Sequence, residues 1–137
     1  MENNKFGGEA INAKIAEEEK YLKVSVNSTT ARGGYKTTYD LSKYKILKTD
    51  IEIANKGISS SGCDIGINIF EKDANVLNTN AIIGKAIIAF NETSKKREIY
   101  LLNIDNLKET YTIFVLKNST YPSTSAIYNI YNLWLEE

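Results

Sequence analysis

Histidine is missing from all 137 residues. With it go the Ser-His-Asp and Cys-His arrangements, the usual general base near neutral pH and the commonest transition-metal ligand. Cysteine occurs once, at Cys63, so neither an intrachain disulfide nor a multi-cysteine metal site can form, and the thiol reads as one kept reduced in a cytosol. Proline also occurs once, at Pro122. Charge of one sign is in no excess, since 17 Lys and Arg balance 17 Asp and Glu; without a positive field to gather phosphate backbones, nucleic acid is not an expected partner. No apolar run nears the roughly 18 residues of a membrane span, so no membrane insertion is expected. The opening Met-Glu-Asn-Asn-Lys lacks the apolar stretch and small-residue cleavage site of a secretory signal. That implies synthesis in the cytoplasm and, for any work outside the cell of origin, exit by lysis or inside a particle.

These gaps leave little room for chemistry. A glycosidase-type carboxylate pair needs no histidine, and Asp64, Glu71, Asp73 and Glu92 are its nominees. Acids beside turns are ordinarily solvated, however, without the raised pKa that a general acid requires. The glycine doublets Gly7-Gly8 and Gly33-Gly34 lack the Lys-Ser/Thr of a P-loop and the spacing of a dinucleotide fingerprint, and read as turns. The stretch 73–78 offers oxygen ligands but not the register or terminal glutamate of a calcium loop, and reads as an Asx-rich loop. Sequons begin at Asn27, Asn91 and Asn118, but they matter only on a glycosylating secretory route. No catalytic residue, metal or cofactor is expected, and the chain is read as a non-enzyme.

What is present points to a β-protein. Apolar residues make up 42% and charged residues 25% of the chain, a globular balance for a single domain over 1–137, with 1–20 as a leader or a first strand. In 45–54, Leu47, Thr49, Ile51 and Ile53 alternate with Lys48, Asp50 and Glu52, the pattern of a half-buried strand. Ile65, Ile67 and Ile69 repeat it. Further β-rich runs cover 21–26, 35–39, 81–90, 97–104, 110–116 and 126–135, with another near 12–16, giving eight or nine strands. Gly, Asn, Asp and Ser clusters separate them. Only 9–22 offers a helical spacing, through Ile11, Ile15 and Leu22, and Glu17 to Glu19 read instead as a solvated turn before a strand. With no helix of crossover length between strands, the fold class is all-β, an antiparallel sandwich.

Two runs are apolar on both faces. Tyr111, Ile113 and Val115 alternate with Phe114 and Leu116, while Ile99 and Leu101 alternate with Tyr100, Leu102 and Ile104. One face fills the core; a loop or an oligomer interface must cover the other. The C-terminal run breaks alternation around Ile130 to Leu135, which predicts a bulge. Residues 39–44 and 102–107 echo each other as extended runs ending in an Asx or Ser turn. Nine tyrosines exceed what packing alone demands, and a flat ring with a hydroxyl suits stacking on sugars. Tyr35, beside Gly33-Gly34, and Tyr121, beside Pro122, read as loop-borne and exposed.

The order Tyr39-Asp40-Leu41-Ser42-Lys43-Tyr44-Lys45-Ile46-Leu47, then Arg97-Glu98-Ile99-Tyr100-Leu101-Leu102-Asn103-Ile104, then Tyr111-Thr112-Ile113-Phe114-Val115, closing on Ile130-Tyr131-Asn132-Leu133-Trp134-Leu135-Glu136, resembles a known group. It is that of the C-terminal jelly-roll domains of tail-fibre and baseplate proteins, in phages and phage-tail-like bacteriocins of Gram-positive bacteria. The likeness covers most of the chain from Ala31 onward. It implies a galactose-binding-like or carbohydrate-binding-module-like jelly roll, made in a bacterial cytoplasm and released with its particle. Such a domain recognises a cell-surface glycan, or else contacts only neighbouring tail subunits, and is commonly a homo-oligomer, often a trimer. Tail-fibre jelly rolls usually cap a long fibrous chain, whereas here only a short leader follows Met1, which fits a separately encoded small tail protein or a piece of a longer one. Arg32, Tyr35, Asp64, Asn68, Tyr121 and Asn129 are the ligand-binding residues this reading nominates.

Overall fold

The computed structural model describes residues 7–27, 31–55, 63–88, 96–119 and 126–137. Through them run ten strands and no helix: β1 (Glu9–Ile11), β2 (Ala13–Glu17), β3 (Leu22–Val26), β4 (Arg32–Asp40), β5 (Ile46–Asn55), β6 (Cys63–Glu71), β7 (Ile83–Ile88), β8 (Lys96–Asn103), β9 (Thr110–Ser119) and β10 (Ala126–Glu136). They form two five-stranded sheets, ordered β1-β4-β9-β6-β7 and β2-β3-β10-β5-β8, and every pairing is antiparallel. The expected sandwich is therefore present, with more strands than expected. The stretch read as leader or first strand supplies both β1 and β2, one to each sheet. Asn12 makes the passage at a φ of 51°, a left-handed conformation that asparagine tolerates better than most residues. Its side chain donates to the Arg32 carbonyl at 3.1 Å, and its own carbonyl accepts from Asn27 N–H at 3.1 Å.

Alternation builds the core between the sheets. Leu47, Ile51 and Ile53 of β5, Ile65, Ile67 and Ile69 of β6, and Val115 of β9 are fully buried, and Leu22, Val24, Val26, Ile113, Ile130 and Leu133 join them. Each such side chain contributes about 1.5–3 kcal/mol by leaving water. Lys117 is also fully buried and donates from Nζ to the Asn27 carbonyl at 3.2 Å, tying β9 to the end of β3.

The glycine doublet Gly33-Gly34 lies inside β4 rather than in a turn. A Cβ on Gly34 would collide with the Val115 carbonyl and the Tyr128 hydroxyl, and one on Gly33 would press on Val26 and the Asn12 carbonyl. The doublet is there for close approach. It lets the buried Tyr128 hydroxyl cross from β10 to donate to the Val115 carbonyl, linking the two sheets.

The apolar outer face of β9 is covered within the chain. Phe70, Phe114 and Leu116 form a second cluster with Val76, and Ala74, Ala81 and Ile11 pack against it. The segment 72–82 thus lies over the first sheet. Arg32 fastens it by donating from Nη1 to the carbonyls of Val76 (3.0 Å) and Thr79 (2.8 Å), and Thr112 donates to the Lys72 carbonyl (2.9 Å). On β8 the outcome differs, for Ile99 and Leu101 face outward and are 60% and 50% exposed.

The echo between 39–44 and 102–107 is one device used twice. Asp40 accepts from Ser42 N–H at 2.9 Å and Asn103 from Asp105 N–H at 3.0 Å, both Asx turns. Each is followed by a backbone bond, Tyr44 N–H to Leu41 and Leu107 N–H to Ile104, that closes over a buried aliphatic residue. Of the Gly-, Asn- and Ser-bearing clusters that separate the strands in the sequence, those at 57–62, at 91–94 and around Pro122 lie outside the described residues.

Candidate functional site

The outer face of the β2-β3-β10-β5-β8 sheet gathers the polar and aromatic side chains most suited to binding. Register aligns them in rows. Asn129 of β10 lies between Lys23 of β3 and Glu52 of β5, and Glu52 is opposite Arg97 of β8. Asp50 lies between Asn132 and Ile99, and Lys48 between Trp134 and Leu101. Unbroken alternation from Asn129 would turn Leu133 and Leu135 outward and Trp134 inward. Instead the register shifts between Ile130 and Asn132. The extra residue, Tyr131, reverses the parity that follows, so Trp134 and Glu136 share a face with Asn129 and Tyr131. The bulge predicted from broken alternation is present. Fully buried Thr49 supports it by donating to the Asn132 carbonyl at 3.1 Å.

Two linked groups stand on this face. In the first, the Arg97 guanidinium makes a two-pronged contact with Asp50, each bond 3.1 Å, and lies 3.5 Å from the centre of the Tyr131 ring. Tyr21 packs on Tyr131 with ring centres 5.1 Å apart. The Asn129 amide and the Tyr131 hydroxyl both donate to Glu52 Oε1, at 2.9 and 3.3 Å. Because a carboxylate only accepts, this fixes the Asn129 amide orientation and leaves its Oδ1 buried without a donor. In the second group, Trp134 Nε1 donates to Glu136 Oε2 at 3.0 Å, and Lys48 Nζ lies 3.1 Å from Glu136 Oε1.

The charge states follow from these contacts. Hydrogen bonding to Asp50 raises the Arg97 pKa, so the guanidinium stays charged against Tyr131. Loss of water, reinforced by Glu52, raises the Tyr131 hydroxyl, which stays a neutral donor. The Trp134 N–H, then Lys48, hold the Glu136 carboxyl below its ordinary value, so it is ionised at neutral pH. Glu18, Glu19, Lys20, Tyr21, Arg97 and Tyr131 line an open depression of about 390 Å³ beside the first group. Among the described residues, no three acidic or thiol side chains come together as a metal site.

Of the six nominated residues, the four whose side chains are described do not converge. Asn129 belongs to the face just described. Arg32 is on the other sheet, occupied in holding 72–82. Asn68 of β6 is half-buried on that same sheet, between Phe114 and Gly84, whose missing side chain makes room for its amide. Tyr35 is a correction: it is neither loop-borne nor exposed but fully buried in β4, with Gly8 N–H donating to its hydroxyl at 3.1 Å. Because β4 begins at Arg32, Tyr35 falls on the inward side of a strand, where burial also raises its pKa. Asp64 pairs with Asn118 across β6 and β9, but its side chain is outside the described residues, as is the whole of Tyr121. Sequence reading missed Glu52, Arg97, Tyr131 and Trp134 as a set. Alternation in β5 marked Glu52 as outward, but only the bulge and cross-strand register bring the other three beside it.

Two antiparallel five-stranded sheets packed face to face define a jelly-roll β-sandwich. Neither a protein-family model nor a curated protein matches the chain. Solved structures do. A CBM4 carbohydrate-binding module aligns over 95% of this chain and 94% of its own at a TM-score of 0.60 and 8% identity. The CBM22-1 xylan-binding domain from Paenibacillus barcinonensis Xyn10C aligns over 94% and 84%, with a TM-score of 0.53 and 11% identity. The enzymatically active domain of tailspike protein 4 from bacteriophage CBA120 covers 94% of this chain, which spans only 18% of that one, with a TM-score of 0.51 and 12% identity. At such identities the shared property is the fold.

Proposed function

We propose that this chain is a non-catalytic carbohydrate-binding module whose saccharide lies on the outer face of the β2-β3-β10-β5-β8 sheet. The observation that carries the reading is the composition of that face. Trp134 and Tyr21 offer flat apolar surface, while Glu52, Lys23 and Lys48 offer acceptors and donors within a few strand spacings, the combination that sugar rings require. The carbohydrate-binding modules that share the fold support it. A target on a bacterial surface, and a place in a phage or phage-tail-like particle that carries the protein out of its cell, rest on the sequence resemblance. The tailspike likeness is one of fold.

Titration of the intact protein with soluble xylan and with purified Gram-positive cell-wall polysaccharide tests the reading. Trp134→Ala is expected to weaken binding roughly tenfold or more, the loss of a stacking surface together with its buried area, with unchanged circular dichroism. Equal affinity in Trp134→Ala and wild type would move the site off this face. A second reading, assembly with neighbouring subunits of a particle or a homo-oligomer, has one observation in its favour: Ile99 and Leu101 are exposed side by side on edge strand β8. Light scattering at high concentration decides it, since a strict monomer unaltered by Leu101→Ser would count against assembly through this patch.

A further inference from the structure

The two groups on the binding face differ in what they leave open. Tyr131 is already engaged, with the Arg97 guanidinium 3.5 Å from its ring centre and Tyr21 packed against it. A saccharide stacking there would have to displace one of them. Trp134 has no aromatic or cationic ring partner among the described residues, and its surroundings across the sheet are Lys48 and the exposed Leu101. Its one polar attachment among the described residues is the indole N–H to Glu136, two residues further along the same strand and on the same face. That carboxylate is itself held from the neighbouring strand by Lys48. One acid therefore accepts from the ring with one oxygen and from a cation with the other, fixing the rotation of the indole about its side-chain bonds. A stacking surface that is already oriented loses less conformational freedom on binding.

We propose that Glu136, anchored by Lys48, is a positioning residue that presets the Trp134 indole as the stacking surface for a pyranose ring; this rests on the saccharide-binding reading above. The role falls to position 136 because of the bulge. Without the extra residue, both Trp134 and Glu136 would turn into the core.

The chain has a single tryptophan, so intrinsic fluorescence reports Trp134 alone. In the free protein, Glu136→Ala and Lys48→Met are expected to lower the steady-state anisotropy of that emission. Glu136→Gln, which keeps an acceptor for the indole N–H, is expected to restore most of it in the Glu136 series. Affinity for soluble xylan, or for purified cell-wall polysaccharide where xylan does not bind, is expected to fall roughly three- to fivefold in Glu136→Ala, the scale of an exposed charge-assisted contact, and to recover in Glu136→Gln. Unchanged anisotropy in Glu136→Ala overturns the positioning role, whatever happens to affinity, because an affinity loss alone would make Glu136 a direct saccharide contact. If the anisotropy responds as expected but the intact protein binds neither polysaccharide, the saccharide reading fails and the orienting contact stands.

Discussion

At the level of single residues, two tyrosines do opposite work. Tyr131 keeps its hydroxyl at the surface as a donor to Glu52, whereas Tyr128 carries its hydroxyl into the core to reach the Val115 carbonyl. Burial raises the Tyr128 pKa far above its ordinary value of 10.0, and Tyr35 is raised for the same reason. In the unfolded chain both lose their protons near that ordinary value, while in the fold they retain them. The stabilisation is therefore complete below about pH 10 and declines as pH rises beyond it. Urea unfolding between pH 8 and 11 is expected to show a plateau followed by a fall. Tyr128→Phe is expected to be about 1 kcal/mol less stable at pH 8, yet to decline less steeply above pH 10. Parallel declines in the two proteins would show that Tyr128 is not the group responsible. Sequence identified Tyr35 and Tyr128 as tyrosines in a β-rich chain. Which way each pointed depended on where its strand began, and for Tyr35 the glycine doublet disguised that start.

Among elements, the segment 72–82 shows how a two-sided apolar strand is accommodated without a partner subunit. Phe114 and Leu116 announced in the sequence that the outer face of β9 needed cover, and the Asx-rich loop announced itself separately. That one covers the other is a long-range pairing which neither pattern encodes. Arg32 makes it durable, since its guanidinium satisfies two carbonyls of the loop at 3.0 and 2.8 Å. Arg32→Ala is expected to cost roughly 1–3 kcal/mol. It should also speed amide exchange in 72–82 well beyond that in β5 or β10, and expose Phe70 and Phe114 to a hydrophobic dye. Uniformly faster exchange throughout the chain would mean that the loop has no independent opening for Arg32 to control.

For the molecule as a whole, the decisive element is the last one. β10 lies in the interior of its sheet, paired with β3 on one side and β5 on the other. Through Tyr128 it also bonds to the opposite sheet. One hydrophobic cluster includes residues from both sheets, so neither sheet can keep its buried face without the other. Removing residues 126–137 is therefore expected to abolish the cooperative thermal transition and leave no dispersed amide spectrum, rather than to yield a stable smaller sandwich. A truncated protein that still melts cooperatively would show that the first sheet and its loop fold alone.

The amino-acid order alone determined the class of fold, because a period of two is a local property: Leu47 to Ile53 and Ile65 to Ile69 declare their buried sides without reference to any other strand. It also determined that histidine chemistry is absent, and it marked the break in β10. Tertiary structure alone decided the site. A slip of one residue at Tyr131 changes the face on which every later side chain of β10 lies. Cross-strand register then sets Asn129 beside Glu52 and Trp134 beside Lys48, and no local pattern carries the offset between two strands separated by some eighty residues of chain.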